Sequence, residues 1–391
     1  MRILQIHNFY QQAGGEDRVL AAEFALLSSH GHEVFQYTVH NDAVAEVPAV
    51  ELGVKTIWNK DSYRNVRLLL AEHAIDIVHA HNTLPLISPS IYDAARAQNV
   101  PVVQTLHNYR LLCPAATFYR QGEICELCLG KAVNYPAVLH RCYRDSLAAS
   151  AVVSIMLAAH HFAGTYQRKI HTYIALTEFA RNKFREGGLP ANRMIVKPNF
   201  LSHDPGPGTG QGGYALFAGR LTAEKGLVEM LDAWAANPHT LPLKIAGDGP
   251  LRSFVQERAA SLATVEYLGL CEHARVMSLL QEAAVLVFPS RWYEGMPMIL
   301  LEAMACGTPI VAFAVGSLSE LILDFENGCK LPLADSDALP DLLRDSERLA
   351  RISCLRAGAR AYFERYFTAA KNYQLLKKAY DEAADNSRSI S

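Results

Sequence analysis

The sequence predicts an α/β protein built from two doubly wound, Rossmann-like parallel-sheet domains. Three observations lead there: a length of 391 residues, strand-like and helical patterns that alternate, stop and start again, and a segment dense in Gly and Pro at the break. At this length one hydrophobic core rarely keeps growing, so two domains of about 150–200 residues are expected. Half of the residues are hydrophobic, which supplies core material and excludes wholesale disorder.

In chain order, strand-like runs at 3–7, 33–37, 75–80 and 100–106 alternate with helical periodicity, first over 17–29. Strands separated by helices need crossovers, and crossovers build a parallel sheet covered on both faces. Residues 199–213, NFLSHDPGPGTGQGG, lack apolar periodicity and read as a linker. Beyond them the alternation resumes with strands at 214–218, 243–246, 265–268, 284–289 and 310–313, and helices over 227–234, from about 250, and over 297–305. The predicted domains are therefore 1–198, with a cysteine-containing insertion at 108–145, and 214–358, followed by helical residues 359–391. Two such domains facing one another leave a cleft at the carboxyl ends of their strands, where open sheets bind ligands.

A formal net charge of -2 gives no field that attracts nucleic acid, so a polyanion binder is disfavoured. The start, MRILQIHNFY, reads as a first strand and lacks the features of a secretory signal. The most apolar later segment, 147–159, holds 13 residues, short of the roughly 20 that span a bilayer. A cytoplasmic protein is expected. The stretch 147–162, flanked by Arg141 and Arg144 and by Arg168 and Lys169, suits either a buried helix or one lying peripherally on the inner face of a membrane.

Eight cysteines in so long a chain suit free thiols in a reducing compartment better than a disulfide framework. Four of them, Cys113, Cys125, Cys128 and Cys142, fall within 30 residues and contain one C-x2-C pair. Four thiolates can hold a structural Zn²⁺ tetrahedrally, and buried free thiols are the plain alternative. With all four positions filled by sulfur, such an ion is not catalytic.

The candidate chemistry lies mainly in the second half. FAGRLTAEKG, residues 217–226, leaves a strand, presents Arg220 and Lys225 and enters a helix. Two cations there can neutralise a diphosphate, although a solvated strand end explains them equally well on spacing alone. EGMPMILLE, residues 294–302, follows an apolar strand, with Pro297 placed in the first turn of a helix that ends near Gly307. Glu294 then sits before that helix, and Glu302 sits inside an apolar helix where a carboxylate without a partner is costly. The turn at Gly247-Asp-Gly-Pro250 is a tight turn and not a dinucleotide fingerprint, which opposes an oxidoreductase.

GRLTAEKG, LKIAGDGPL, the E-x7-E element opening with EGMP, ACGTPIVA, and GGEDRVLAAEFALLSSHGHEV near the start together strongly resemble family-4-type retaining glycosyltransferases of the GT-B fold, the glycosyl transferases group 1. The resemblance covers nearly the whole chain. It implies metal-independent transfer of a sugar, hexosyl in type, from a nucleotide diphosphosugar to an acceptor hydroxyl with retention at the anomeric carbon. It implies that Arg220 and Lys225, beside Gly219, hold the diphosphate. Glu294, with Gly295, Met296, Pro297 and Met298, would take the donor sugar and the phosphates, Glu302 the ribose, and Leu268 would lie near the base. From the first domain, Gly14 and Gly15 would line the donor site and His107 would reach the donor sugar. The catalytic set implied is Arg220, Lys225, Glu294 and His107, and the final helices are expected to cross back to the first domain.

Two points temper the transfer of roles. Glu16 and Asp17 share the first helical turn with Gly15, which suits the helix dipole but repels phosphate, so sugar hydroxyls fit Gly14 and Gly15 at least as well. His107 can also be a satisfied structural histidine, and so can His81. No enzymic nucleophile stands out, which agrees with a same-face reaction in which the departing phosphate helps deprotonate the acceptor. A glycan or lipid-linked acceptor in cell-surface polysaccharide assembly is expected, and nucleic acid is not. The rival readings are a sugar-nucleotide epimerase of the same fold and a nucleotide-sugar-binding protein without turnover.

Overall fold

The computed structural model describes residues 1–12, 14–236, 241–333, 352 and 354–390. In chain order the first part contains β1 (Arg2–Phe9), α1 (Gly15–Ser29), β2 (Glu33–His40), α2 (Ala49–Ile57), α3 (Lys60–Glu72), β3 (Ile77–Asn82), α4 (Ser90–Ala97) and β4 (Val102–Leu106). A short hairpin follows, β5 (Tyr119–Arg120) and β6 (Glu123–Ile124), then α5 (Tyr135–Leu139), α6 (Leu147–Phe162), α7 (Thr165–Arg168), β7 (Thr172–Ala175), α8 (Glu178–Glu186) and β8 (Met194–Val196). The second part has β9 (Ala215–Ala218), α9 (Leu227–Ala235), β10 (Leu243–Ala246), α10 (Arg252–Ser261), β11 (Val265–Gly269), α11 (His273–Glu282) and β12 (Val285–Phe288). It continues with α12 (Met298–Ala305), β13 (Ile310–Phe313), α13 (Leu318–Leu321), β14 (Gly328–Leu331), α14 (Arg356–Tyr366) and α15 (Ala369–Ile390).

The chain divides into two compact units. Unit 1 comprises Met1–Phe118, Cys125–Asn199 and Ala369–Ser391, and unit 2 comprises Tyr119–Ile124 and Phe200–Thr368. Each holds a parallel six-stranded sheet, ordered β2-β1-β3-β4-β7-β8 in unit 1 and β11-β10-β9-β12-β13-β14 in unit 2. The central strands are continuous buried runs, VVQTL in β4, VLVF in β12 and IVAF in β13, as a sheet covered on both faces requires. In unit 2 the strand order reverses between β9 and β12, and in unit 1 between β1 and β3. Loops leaving the carboxyl ends at such a reversal splay apart and open a crevice.

Several boundaries differ from the sequence reading for identifiable reasons. Ile75 and Val100 do not start strands, because their N–H groups donate to Leu70 and Ala95 carbonyls at 3.2 and 3.0 Å and close the preceding helices. Pro297 is the residue before α12 rather than inside its first turn. Residues 199–213 do not form a loose linker: alternate amides of Gly208, Gly210 and Gly212 donate to the carbonyls of Cys306, Gln281 and Glu282 at 2.8–2.9 Å, strapping the segment along unit 2. Arg360 on α14 adds both oxygens of Asp204 at 2.6 Å and the Ala305 carbonyl at 2.7 Å. The expected boundary at 359 thus falls inside α14, which stays with unit 2, whereas α15 belongs to unit 1. There Leu376, Ala379, Tyr380 and Ala383 pack into one core cluster with Ile3, Leu27, Ile77, Val103 and Ile174.

Candidate functional site

In unit 2 the loops after β9 and β12 meet at the sheet's reversal point. Gly226 makes the approach feasible: its φ is +70°, and a Cβ there would lie 2.0 Å from the Pro289 carbonyl oxygen. The loops are also bonded through the Arg291 amide to the Glu224 carbonyl at 2.9 Å. This sets Lys225 Nζ 2.6 Å from Glu294 Oε1, which also accepts from Ser290 Oγ at 2.6 Å. The Lys225 ammonium stands 5.1 and 5.5 Å from the ring centres of Phe288 and Trp292, so aromatic faces supplement the carboxylate. Glu294 is only 6 % exposed, and its carbonyl accepts from Ser317 Oγ at 2.9 Å, which fixes the loop.

Beyond Glu294, Gly295, Met296 and Pro297 lead into α12, whose first residue is Met298. Unpaired amides at a helix start favour anions. Glu302 lies in this buried helix at 3 % exposure, and its partner is His273, with Nε2 2.9 Å from Oε1. Sequence reasoning required a partner for Glu302 but did not name one, since only the fold brings the first residue of α11 against α12.

Gly219 and Gly247 explain the turn after β10. Gly247 has φ +151°, and a Cβ on it would fall 1.9 Å from the Gly219 carbonyl oxygen, so the turn is glycine because two loops touch. Tyr267 donates its hydroxyl to the Gly247 carbonyl at 3.1 Å, and half-buried Leu268 follows at the end of β11. Arg220 is exposed, its carbonyl accepts from the Thr222 amide at 3.1 Å, and its guanidinium has no hydrogen-bond or ion-pair partner among the described residues, which leaves it available for an anion. Lys225, Ser290 and Glu294 therefore come together, Gly219 lies against Gly247, Arg220 sits in the loop after β9, and Glu302 pairs with His273 between α12 and α11.

In unit 1 the carboxyl ends of β1, β3 and β4 carry His7, His81 and His107. Gly14 precedes α1, but its amide already donates to Asp17 Oδ2 at 2.7 Å, and His7 Nε2 lies 2.7 Å from Asp17 Oδ1. The Asp17 carboxylate is thus turned inward and engaged, which removes much of the expected repulsion near Gly14 and Gly15 and also removes the Gly14 amide from the anion-binding set. Burial raises the carboxyl pKa of Glu16 above its usual value, against a hydrogen bond from Tyr10. His107 Nε2 lies 2.9 Å from His81 Nδ1, with the rings stacked at 5.2 Å. Burial, opposed by Glu23, pushes His107 down to about 3, and burial with His79 as neighbour drives His81 well below the ordinary range, so both are neutral imidazoles near pH 7.

The four clustered cysteines lie in unit 1, where Asn134 Nδ2 donates to the carbonyls of Leu112 and Cys128 at 3.1 and 3.2 Å and ties their turns together. Burial first, then the Cys113 thiol, pushes Cys128 up to about 11. Among the described residues, the set of three potential ligands gathered within 4.8 Å is Glu23, His79 and His81, and the cysteines form no such set.

Two Rossmann-like sheets, one with a paired cation and carboxylate at its reversal point, have the architecture of the GT-B fold. Residues 207–362 match the family model described as glycosyl transferases group 1, and residues 14–199 match that of the glycosyl transferase 4-like domain. The chain belongs to this family. It is similar to D-inositol 3-phosphate glycosyltransferase of Xylanimonas cellulosilytica, 35% identical over 315 residues that cover 74% of this chain and 68% of that one. An uncharacterised glycosyltransferase of Methanocaldococcus jannaschii is 24% identical over 98% of this chain and 99% of its own. Among solved structures, that of Anabaena Alr3699/HepE in complex with UDP matches with a TM-score of 0.65 at 18% identity, covering 97% of this chain and 99% of that one.

Proposed function

We propose that this glycosyltransferase moves a hexosyl unit from a nucleotide diphosphosugar to an acceptor hydroxyl, with retention, in the assembly of a cell-surface polysaccharide or lipid-linked glycan. The observation that carries the reading is the Lys225–Glu294–Ser290 cluster at the reversal point of the unit 2 sheet, with exposed Arg220 in the same loop as Lys225. The two cations oppose the charge that grows on a departing diphosphate, and the first amides of α12 add to them. Glu294, held by Lys225 and Ser290, keeps acceptor capacity for sugar hydroxyls, and Glu302 does the same for ribose hydroxyls. By the family resemblance, His107 serves the donor sugar, and it does so as a neutral imidazole. The UDP held by the Anabaena neighbour supports a nucleoside diphosphate in the corresponding fold and makes UDP-sugars the first donors to try.

The experiment is a thermal-shift screen of nucleotide diphosphosugars and nucleoside diphosphates on the full chain. A true donor raises the melting temperature with concentration, because it binds the folded state alone. If none does so, the reading fails. Transfer assays with the donor so found, and NMR of the anomeric configuration in the product, test retention.

Peripheral membrane contact by unit 1 belongs to the same reading. Leu147, Ile155 and Phe162 on α6 are 54, 54 and 70 % exposed, and Leu139 on α5 and Val50 on α2 are 70 and 83 % exposed. Both α2 and α5 pack on α6, and exposed Arg141 and Arg144 lie between α5 and α6. Exposed apolar side chains next to cations complement an anionic lipid surface. No described helix is long and apolar enough to cross a membrane. A structural Zn²⁺ on Cys113, Cys125, Cys128 and Cys142 is a separate proposal, supported by the converging turns and by the other three thiols acting on Cys128.

A further inference from the structure

Behind His107 in unit 1 lies a buried chain of polar groups that the transfer reaction does not touch. Glu23 on α1 is fully buried, and its Oε1 is 2.7 Å from the Nζ of equally buried Lys197. Its other oxygen, Oε2, stands 3.6 Å from His81 Nε2 and 3.6 Å from His79 Nδ1. Both Glu23 Oε2 and His81 Nε2 are buried without a hydrogen-bond partner at that spacing. On its far side, His81 reaches His107 at 2.9 Å.

The spacing of Glu23, His79 and His81 is that of a metal site, yet the surrounding groups argue otherwise. Lys197 already supplies the positive charge. Both nitrogens of His79 are engaged, Nδ1 with the Tyr380 hydroxyl at 3.0 Å and Nε2 with the Thr105 hydroxyl at 2.8 Å. A cation would have to displace Tyr380 and sit beside an ammonium.

The alternative use follows from proton counting. Burial works to raise the Glu23 carboxyl, but Lys197 and then His81 bring it below its ordinary value, so it is an acceptor only. A neutral imidazole has one N–H and one lone pair. Facing a carboxylate oxygen that lacks a donor, His81 carries its hydrogen on Nε2, and its Nδ1 is then a lone pair. That lone pair requires the hydrogen of His107 on Nε2, which leaves His107 Nδ1 bare. We propose that Glu23 is a positioning residue which, through His81, fixes His107 as a hydrogen-bond acceptor at Nδ1, so that it accepts a hydrogen bond from a hydroxyl of the bound sugar and donates none. This rests on the reading that His107 meets the donor sugar. The His7 ring, its centre 6.2 Å from that of His81, and Lys197 are the other ionisable groups around the chain among the described residues.

The test is the tautomer of His107, read from ¹⁵N imidazole shifts of the full-length protein labelled at histidine. The parent protein should show the hydrogen on Nε2. In Glu23→Gln the side-chain amide can donate to His81 Nε2, which reverses both imidazoles and moves the His107 hydrogen to Nδ1. Because that variant leaves Lys197 buried without its counter-charge, Glu23→Gln combined with Lys197→Met serves as the second variant, and the same reversal is expected. The KM for the sugar donor should rise about tenfold, about 1.4 kcal/mol, whereas the affinity for the nucleoside diphosphate alone stays at the parent value. A His107 hydrogen on Nδ1 in the parent, or an unchanged tautomer in both variants, overturns the proposal. A purely structural role for Glu23 weakens sugar donor and nucleoside diphosphate alike. The NMR measurement needs no substrate, so it stands even if no nucleotide sugar binds, the result that defeats the parent reading instead.

Discussion

Lys225 and Glu294 stand 69 residues apart in sequence and 2.6 Å apart in space, joined across the reversal point of the unit 2 sheet. Replacing Glu294 with Ala removes the acceptor shared by Lys225 and Ser290. Transfer should fall on the order of 10²–10³-fold, the usual cost of losing a preorganised polar group at a reacting centre. Initial rates with a saturating donor check this, with a melting curve to show that the variant is folded. A rate equal to the parent's removes Glu294 from the catalytic set.

Glu302→Gln keeps the shape of the side chain and removes its charge. Hydrogen bonds to charged groups are worth about 1.5–3 kcal/mol, so nucleoside diphosphate affinity should fall by at least about tenfold. His273→Ala should matter far less, since His273 is 60% exposed and an exposed pair contributes little. Calorimetric titration of both variants separates a ribose contact from a structural ion pair. Equal losses would indicate the latter.

Acid should destabilise unit 1 through its buried imidazoles. In the folded state His79, His81 and His107 are all held below the ordinary histidine pKa, chiefly by burial. Unfolded, they take up protons near pH 6.5, so the unfolded state binds more protons and stability falls as pH drops below that value, continuing to about 3 for His107. Glu23, whose folded pKa is lowered, adds loss in the same direction at more acidic pH. Each fully buried imidazole contributes up to about 1.4 kcal/mol per pH unit. Denaturant midpoints should hold nearly level near pH 7.5 and decline from about pH 6.5 to 5, and a flat profile over that lower range contradicts this account.

The exposed face of α6 gives a third kind of prediction. Leu147→Ser, Ile155→Ser and Phe162→Ser together should abolish most sedimentation with vesicles containing phosphatidylglycerol while leaving the melting temperature almost unchanged. Arg141→Glu with Arg144→Glu should weaken binding mainly at low salt, where surface charges are least screened. Parent protein that ignores such vesicles defeats the membrane proposal.

For the cysteines, elemental analysis of protein purified without chelator should find zinc in proportion to chain, lost in Cys125→Ser with Cys128→Ser. Absence of zinc leaves the four as plain thiols, buried at Cys113 and Cys128 and half-buried at Cys125 and Cys142.

Much of unit 2 was legible because β9, β10, β12 and β13 are apolar runs bounded by Gly and Pro, and because the motif residues sit in the loops that follow them. In unit 1, α3 escaped notice: only Ser62, Val66 and Leu70 of its residues are buried, too thin a stripe to stand out. Relationships that need the fold were not readable at all. Lys197 meets Glu23 across 174 residues, and Asp17, read as a source of repulsion, turns inward to His7 and Gly14. The strap at 208–212 was missed because its glycines, which signal flexibility in a sequence, here permit contact: a Cβ on Gly208 would lie 2.1 Å from the Gln281 carbonyl oxygen.

The position of α15 has a consequence for biosynthesis. A ribosome delivers residues from the amino terminus, yet the unit 1 core lacks Leu376, Ala379, Tyr380 and Ala383 until α15 emerges. Unit 2, contiguous apart from Tyr119–Ile124, has the strands described for it, β9 to β14, well before then. The strands described for the second unit are therefore all made while the first unit still presents the apolar surface of β4 and β7 that α15 covers.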